Sequence, residues 1–469
     1  MSSFGDASPP IALGALDGRY RSVVAPLVEH LSEAALNRMR VHVEVEWLVH
    51  LTDHHVVPGV RVLSGSEQAA LRDVVTHFGT DEVAELAQIE RETVHDVKAV
   101  EYFVKRRLMA IAPDEADRGL AELIHFACTS EDINNLSYAL MVRGAVMSVW
   151  LPRASALVDQ VAGMATGLRD VPLLARTHGQ PATPTTMGKE LAVLAFRLRR
   201  QLARIGRADY LGKLNGATGT FGAHLAAVPL ADWPSISRSF VEGLGLTWNP
   251  LTTQIESHDW QAELYADMAR FNRVLHNLCT DVWTYVSLGY FAQVRGQGSV
   301  GSSTMPHKVN PIRFENAEAN LEVSNALLDV LGSTLVQSRL QRDLTDSSMQ
   351  RNIGTAFGHS LLALDNAGRG LAGLDAVPAA MDADLDANWE VLGEPIQSAM
   401  RALGAQGVPG MDNPYERLKE LTRGRRITQG DLQTFIAGLG LPDDVAARLS
   451  AMTPRTYIGA APELVDYLG

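Results

Sequence analysis

Long stretches of this chain place apolar residues every three or four positions, and that period constrains the fold more than any other feature. Met187, Leu191, Leu194, Leu198, Leu202 and Ile205 form one such row, and Phe271, Val274, Leu275, Leu278, Val282, Tyr285 and Val286 form another. A third row runs from about Glu315 to Val336. A fourth covers Met141 to Leu168, with Pro152 inside it, where a helix must bend or end because proline lacks the N–H and its ring crowds the preceding turn. Strand-type alternation is scarce, so the expected class is all-α, with long helices packed side by side. The apolar stripes exceed what a thin monomer could bury, so the bundle is expected to self-associate.

A chain of 469 residues is too long for one compact core. It fits two or three domains, or one elongated bundle with small domains at its ends, and punctuation at Ala112, Pro113 and Asp114, and in the Gly-, Ala-, Pro- and Asp-rich segment from Gly370 to Asp386, marks approximate boundaries between residues 1–113, 114–370 and 371–469. The formal charge of −13 argues against nucleic acid as a partner, since a basic face would be needed to displace counterions from phosphates. Any anionic ligand must therefore meet particular, locally placed cations. Cys128 and Cys279 are too few for a disulfide framework and suit a reducing cytoplasm, the expected location. No apolar run reaches membrane-spanning length, and the first residues lack the basic-then-apolar order of a secretory signal, so no membrane partner is expected. His54 and His55 are adjacent, the wrong spacing for two ligands on one helix face. With no CxxC or HExxH motif, no metal and no cofactor are expected. Arg423, Arg425 and Arg426 read as a solvated helix end, and Cys128 as a small buried residue.

Two glycine-rich segments interrupt the central region, Gly212–His224 (GKLNGATGTFGAH) and Arg295–Pro311 (RGQGSVGSSTMPHKVNP), and neither has phosphate-loop or dinucleotide spacing. The second is the more informative. Its glycines permit a loop that moves, its serines supply hydroxyls, and Lys308 and Asn310 are suited to hold a developing oxyanion. A polar loop with a helix-capping serine would have the same composition.

The order GSS, one residue, MP, one residue, K, one residue, NP resembles the signature loop of the fumarase and aspartase superfamily, whose members eliminate fumarate from a succinyl group. LDGRY (Leu16–Tyr20), HDVKAVEYF (His95–Phe103), HFACTSEDINN (His125–Asn135), RTHGQPATP (Arg176–Pro184), QRDLTDS (Gln341–Ser347) and NWEVLGEPIQ (Asn388–Gln397) resemble the longer bacterial adenylosuccinate lyases within it. The resemblance covers nearly the whole chain, in order, after the first dozen residues.

The resemblance implies that Ser302 is the base and His178 the acid of a β-elimination, with Lys308 and His95 as further catalytic groups. It implies substrate contacts from Arg19, Tyr20, Asp96, Thr129, Ser130, Gln254, Asn310, Asn316, Arg342, Ser347 and Arg351. A succinyl β-proton is weakly acidic, so its removal requires stabilisation of a doubly charged aci-carboxylate. A histidine titrates near neutrality, which suits a proton donor to the leaving nitrogen, and guanidinium groups match phosphate oxygens in a forked geometry. Beside His95, Asp96 is expected to fix the ring's tautomer. Val94 stands where relatives carry Asn, and Thr220, Phe221 and Gly222 stand where relatives carry more polar residues. Thr129 and Ser130 read equally as a capping box with Glu131 or Asp132. The implied architecture is three helical domains, and the implied assembly is a homotetramer with active sites shared between chains. The implied reactions are adenylosuccinate to AMP plus fumarate, and the succinylaminoimidazole carboxamide ribotide to AICAR plus fumarate. Another superfamily lyase, such as argininosuccinate lyase, or a non-catalytic use of the same bundle remains the alternative.

Overall fold

A computed structural model describes residues 12–114, 118–293, 309–422 and 426–469, together with the backbone but not the side chains of residues 421 and 422. The described residues are mostly helical, as the periodicity implies. The chain opens with α1 (Arg21–Leu31), α2 (Glu33–Asp53), α3 (Gly65–Thr76), α4 (Thr80–Thr93), α5 (Asp96–Ile111), the single turn α6 (Arg118–Ala121) and α7 (Ser130–Ala145). The long helices α8 (Leu151–Gly167), α9 (Met187–Ile205), α12 (Asp259–Ser287), α13 (Ile312–Leu335) and α15 (Ile353–Leu371) follow, with α10 (Gly222–Ala227), α11 (Trp233–Gly243) and α14 (Thr345–Gln350) between them. Among the described residues no helix is long and apolar enough to cross a membrane.

The break expected near Pro152 is a π-helical turn over Val146–Trp150, directly before α8. Widening the turn leaves room for a proline ring at the second position of the next helix. Among the described residues, strand structure is confined to three two-stranded pairs: β1 (Pro172–Thr177) with β2 (Gln180–Thr186), β3 (Leu211–Gly212) with β4 (Thr247–Trp248), and β5 (Phe291–Gln293) with β6 (Leu374–Ala376).

The chain resolves into two compact units, each discontinuous in sequence. The first contains residues 1–155, 201–273 and 316–365, and the second residues 156–200, 274–315 and 366–469. In the first unit α2 is the centre, packed on by α1, α3, α5 and α7. Its Val41, Val43, Val45, Trp47, Leu48 and Leu51 are all buried, each worth roughly 1.5–3 kcal/mol relative to exposure. The same helix buries Arg40 and Glu44, an arrangement that is tolerable only if both are paired. A second buried polar line ties three of the long helices to the Trp150 turn. Trp150 Nε1 donates to Ser360 Oγ (2.8 Å), which donates to Asn272 Oδ1 (2.9 Å), while Asn272 Nδ2 donates to Ser324 Oγ (3.2 Å).

In the second unit β1 and β2 form an antiparallel hairpin whose two-residue loop is His178–Gly179. Both loop residues have positive φ (54° and 74°), the backbone a tight two-residue hairpin demands. Arg176 on β1 donates to the Tyr290 hydroxyl (2.9 Å) and pairs with Asp384, and Tyr290 donates to the same carboxylate. Burial pushes the Tyr290 hydroxyl up to about 12, so it stays a donor at neutral pH. The C-terminal part has its own apolar core, including Leu392, Ile396, Met400, Leu432, Ile436 and Leu449.

Candidate active site

In the first unit a cleft of about 520 Å³ opens between the α4–α5 junction, the start of α7 and the segment around α14. His95, Asp96, Ser130, Arg342, Ser347 and Arg351 line it, so six of the residues singled out in the sequence come together in one place. Each element is bounded by local chemistry that fixes these side chains. His95 is the N-cap of α5, and its Nδ1 accepts the Lys98 backbone N–H at 3.2 Å. An accepting Nδ1 carries no proton, so the neutral ring presents Nε2–H. The helix backbone therefore sets the tautomer, where Asp96 was expected to do so. The Asp96 carboxylate lies 3.8 Å from His95 Nδ1 and is engaged instead by Arg40 at 2.8 Å and Arg351 at 3.6 Å. Burial pushes the Asp96 carboxyl up, but the Arg40 guanidinium and the Val97 N–H outweigh it and hold it below the usual carboxylate value.

Three guanidinium groups, from Arg40, Arg342 and Arg351, face this cleft in a chain whose average charge is acidic. Arg342 is held by Glu131 (3.0 Å), by Ser347 Oγ (3.2 Å) and by Gln254 Oε1 (3.3 Å). Arg351 lies 3.4 Å from Glu33 and donates to the Ser347 carbonyl at 3.0 Å. Desolvation raises the Glu131 carboxyl against the pull of Arg342, and burial lifts the Tyr138 hydroxyl to about 12. A hydrogen-bonded line joins the two ends of the cleft. Arg40 Nε donates to Asn134 Oδ1 (2.9 Å), and Asn134 Nδ2 donates to Glu131 Oε1 (2.8 Å), which pairs with Arg342. Ser130 begins α7, so its hydroxyl stands where a helix N-terminus favours an anion.

Thr129 is the N-cap of that helix, and the Asp132 carboxylate accepts its backbone N–H at 2.8 Å, the reciprocal half of a capping box. Gln254 joins the cleft wall through Arg342. Tyr20 and Asn316 meet each other, with Asn316 Nδ2 donating to the Tyr20 hydroxyl at 3.4 Å, but neither lines the cleft. Arg19 is exposed, 5.8 Å from the centroid of the Tyr20 ring. His178 sits exposed at the tip of the β1–β2 hairpin in the second unit. Asn310, also in that unit, is half-buried and follows Val309, whose carbonyl accepts from Gln293 at 2.8 Å. Ser302 and Lys308 lie outside the described residues.

The sequence offered Asp132 only as a capping partner and did not single out Arg40, Asn134 and Tyr138 in the cleft wall or Lys213 behind it. A signal for Arg40 exists. Arg40 and Glu44 are one helical turn apart within an otherwise apolar face of α2, where charges must be paired inside the protein. In the first unit the non-glycine residues with positive φ include Val94, His125, Ala127, Phe221, His258 and Leu340. Such conformations persist only where surrounding structure imposes them. Among the described residues no group of three His, Cys, Asp or Glu is placed to hold a metal ion.

A lyase family model matches residues 18–324, and a model of the adenylosuccinate lyase C-terminal region matches residues 338–458. The adenylosuccinate lyase of Escherichia coli (strain K12) is 48% identical over 457 residues, 97% of this chain and 98% of that one. The adenylosuccinate lyase of Haemophilus influenzae is 46% identical over 458 residues, with the same shares covered. Among solved structures, a fumarate lyase from Mesorhizobium sp. BNC1 superposes with a TM-score of 0.74 at 19% identity, covering 95% of this chain and 97% of that one. The 3-carboxy-cis,cis-muconate lactonizing enzyme of Pseudomonas putida gives 0.70 at 20%, covering 94% and 96%. At that identity the likeness is one of fold.

Proposed function

Since this chain belongs to the adenylosuccinate lyase family, we propose that its elimination reaction uses Ser302 as base and His178 as acid, on a substrate whose anionic groups bind in the arginine-lined cleft. The activity is that of a carbon–nitrogen lyase of purine nucleotide biosynthesis, releasing fumarate from adenylosuccinate to give AMP. The same succinyl-amine geometry recurs in succinylaminoimidazole carboxamide ribotide, so one acid and one base serve both substrates, the second giving AICAR.

In this reading the ionised Ser302 hydroxyl removes a β-proton, and the electron pair moves into the neighbouring carboxylate to form an aci-carboxylate held by Lys308 and Asn310. When that pair returns to form the carbon–carbon double bond, the carbon–nitrogen bond breaks and His178 protonates the departing nitrogen. His95, with its Nε2–H directed by the α5 cap, donates a hydrogen bond to the substrate. Thr129 and Ser130 bind a carboxylate at the start of α7. Arg19, Tyr20, Arg342, Ser347 and Arg351 take the nucleotide phosphate and ribose, with Asp96, Gln254 and Asn316 completing the contacts. The observation that carries the reading is the convergence of three guanidinium groups and a helix N-terminus on one cleft of a chain with net charge −13. We further assign a homotetramer in which the His95, His178 and Ser302 regions of three chains form each site, working in the cytoplasm.

The test is fumarate release from adenylosuccinate, followed by absorbance. Ser302→Ala and His178→Ala oligomers should each be nearly inactive. Dissociated, mixed and reassembled, they should recover part of the wild-type rate, because some sites then receive both intact residues. Well-reassembled mixtures without recovered activity would refute the shared site, and a wild type that releases no fumarate would refute the function.

A further inference from the structure

Among the described residues, Asp132 and Lys213 form the most deeply buried ion pair, 2.8 Å apart with neither side chain exposed (0% each). Two charges withdrawn from water persist only when every lone pair and proton finds a partner. Here the carboxylate accepts the Asn215 N–H (2.9 Å), the Gly216 N–H (3.1 Å) and the Thr129 N–H (2.8 Å), besides the ammonium. Lys213 Nζ also donates to the Gly216 carbonyl (3.2 Å). One turn along α7, Asn135 takes both backbone groups of Lys213, accepting its N–H at 2.9 Å and donating to its carbonyl at 3.0 Å. Residues 213–216 are thus fastened to the first turns of α7, the helix whose start carries Ser130.

The fastened segment leads into the cleft wall. The next carbonyl, of Ala217, accepts from Gln254 Nε2 at 3.0 Å, and Gln254 Oε1 accepts from Arg342 at 3.3 Å. Asn215 Nδ2 also donates to Thr252 Oγ1 at 2.7 Å, so the strand of chain bearing Gln254 is held at two points. An unbroken path runs from the buried pair to the Arg342 guanidinium that lines the cleft.

We propose that Asp132 and Lys213 are positioning residues of the active site: their ion pair sets the Gln254–Arg342 guanidinium in register with Ser130 at the start of α7. The inference rests on reading this cleft as the nucleotide's anion site. A displacement of Arg342 by a fraction of an ångström weakens a forked contact to phosphate or carboxylate, so binding is where the pair's loss should register. A pair serving stability alone would lower the melting temperature and leave the folded enzyme's KM untouched.

The experiment uses the full-length enzyme, adenylosuccinate as substrate, and circular dichroism with size exclusion to count folded oligomer. Wild type that releases no fumarate removes the functional reading and this inference with it. With active wild type, folded Lys213→Met should raise KM about tenfold or more while kcat changes less than about threefold. Combined with Gln254→Met, which cuts the same path further along, the two KM effects should fall well short of multiplying. An unchanged KM in folded Lys213→Met, or effects that multiply fully, overturns the proposal. Should Lys213→Met fail to fold, Asp132→Asn keeps the volume and one acceptor oxygen, and its KM decides the matter in the same way.

Discussion

Val94 closes α4 in the left-handed conformation, with φ 53° and ψ 31°. For an L-residue that region costs roughly 1–2 kcal/mol, and a β-branched side chain is the least suited to it. The isopropyl group recovers little of this, because the side chain is 88% exposed. Its backbone N–H does hold, donating to the Glu90 carbonyl at 2.8 Å, so the conformation is imposed by the helix end and by the His95 cap that follows. Asparagine tolerates the left-handed region and adds little freedom to the unfolded chain, so Val94→Asn should stabilise the α4–α5 junction by about 1 kcal/mol. Glycine relieves the same strain but returns about 0.5–1 kcal/mol as unfolded-chain entropy, so Val94→Gly should fall between Asn and wild type. Proline fixes φ near −65° and removes the N–H, so Val94→Pro should cost about 3 kcal/mol or more. Because a chain with two units need not unfold in one step, the measurement is native-state amide exchange across residues 90–99. Val94→Asn should slow exchange there roughly fivefold, the Boltzmann factor for about 1 kcal/mol. If Val94→Asn exchanges as fast as wild type or faster, the left-handed strain is not stored at this position.

Two histidines on or against α2 give stability opposite pH dependences. Burial lowers His50 to about 4, so its contribution is present above about 6.5 and is lost as pH falls from there towards 4. Glu44, whose Oε1 is 2.6 Å from His125 Nδ1, raises His125 against the effect of burial, so that contribution is present below about 6.5 and is lost as pH rises through the raised value. Melting temperature against pH should lose its acid-side fall in His50→Phe and its neutral-to-alkaline fall in Glu44→Gln, and unchanged profiles would contradict both assignments. Arg342→Gln should raise KM for adenylosuccinate by about ten- to a hundredfold, the loss of a forked, charge-assisted contact, and inhibition by inorganic phosphate should weaken in parallel. Gly219→Ala should abolish most activity, because a Cβ there would stand 2.2 Å from the Thr252 carbonyl oxygen at a φ of 73°. An active Gly219→Ala enzyme would show that the loop beside Gln254 has room to shift.

The helical class, the register of α9 and the site of the break before Pro152 could all be read from the chain, since each depends on periodicity or on the covalent geometry of one residue. His95, Ser130, Arg342, Ser347 and Arg351, which the family resemblance singled out from separate stretches of the chain, line one cleft. Tertiary structure alone decided which groups stand behind that set. Arg40, Asp132 and Lys213 come from distant stretches of sequence, and a charge's environment depends on neighbours brought in by folding, not on the residues beside it in the chain. The tautomer of His95 was decided in the same way: a carboxylate is its neighbour in sequence, but two arginines claim that carboxylate, leaving the first free N–H groups of a helix to fix the ring.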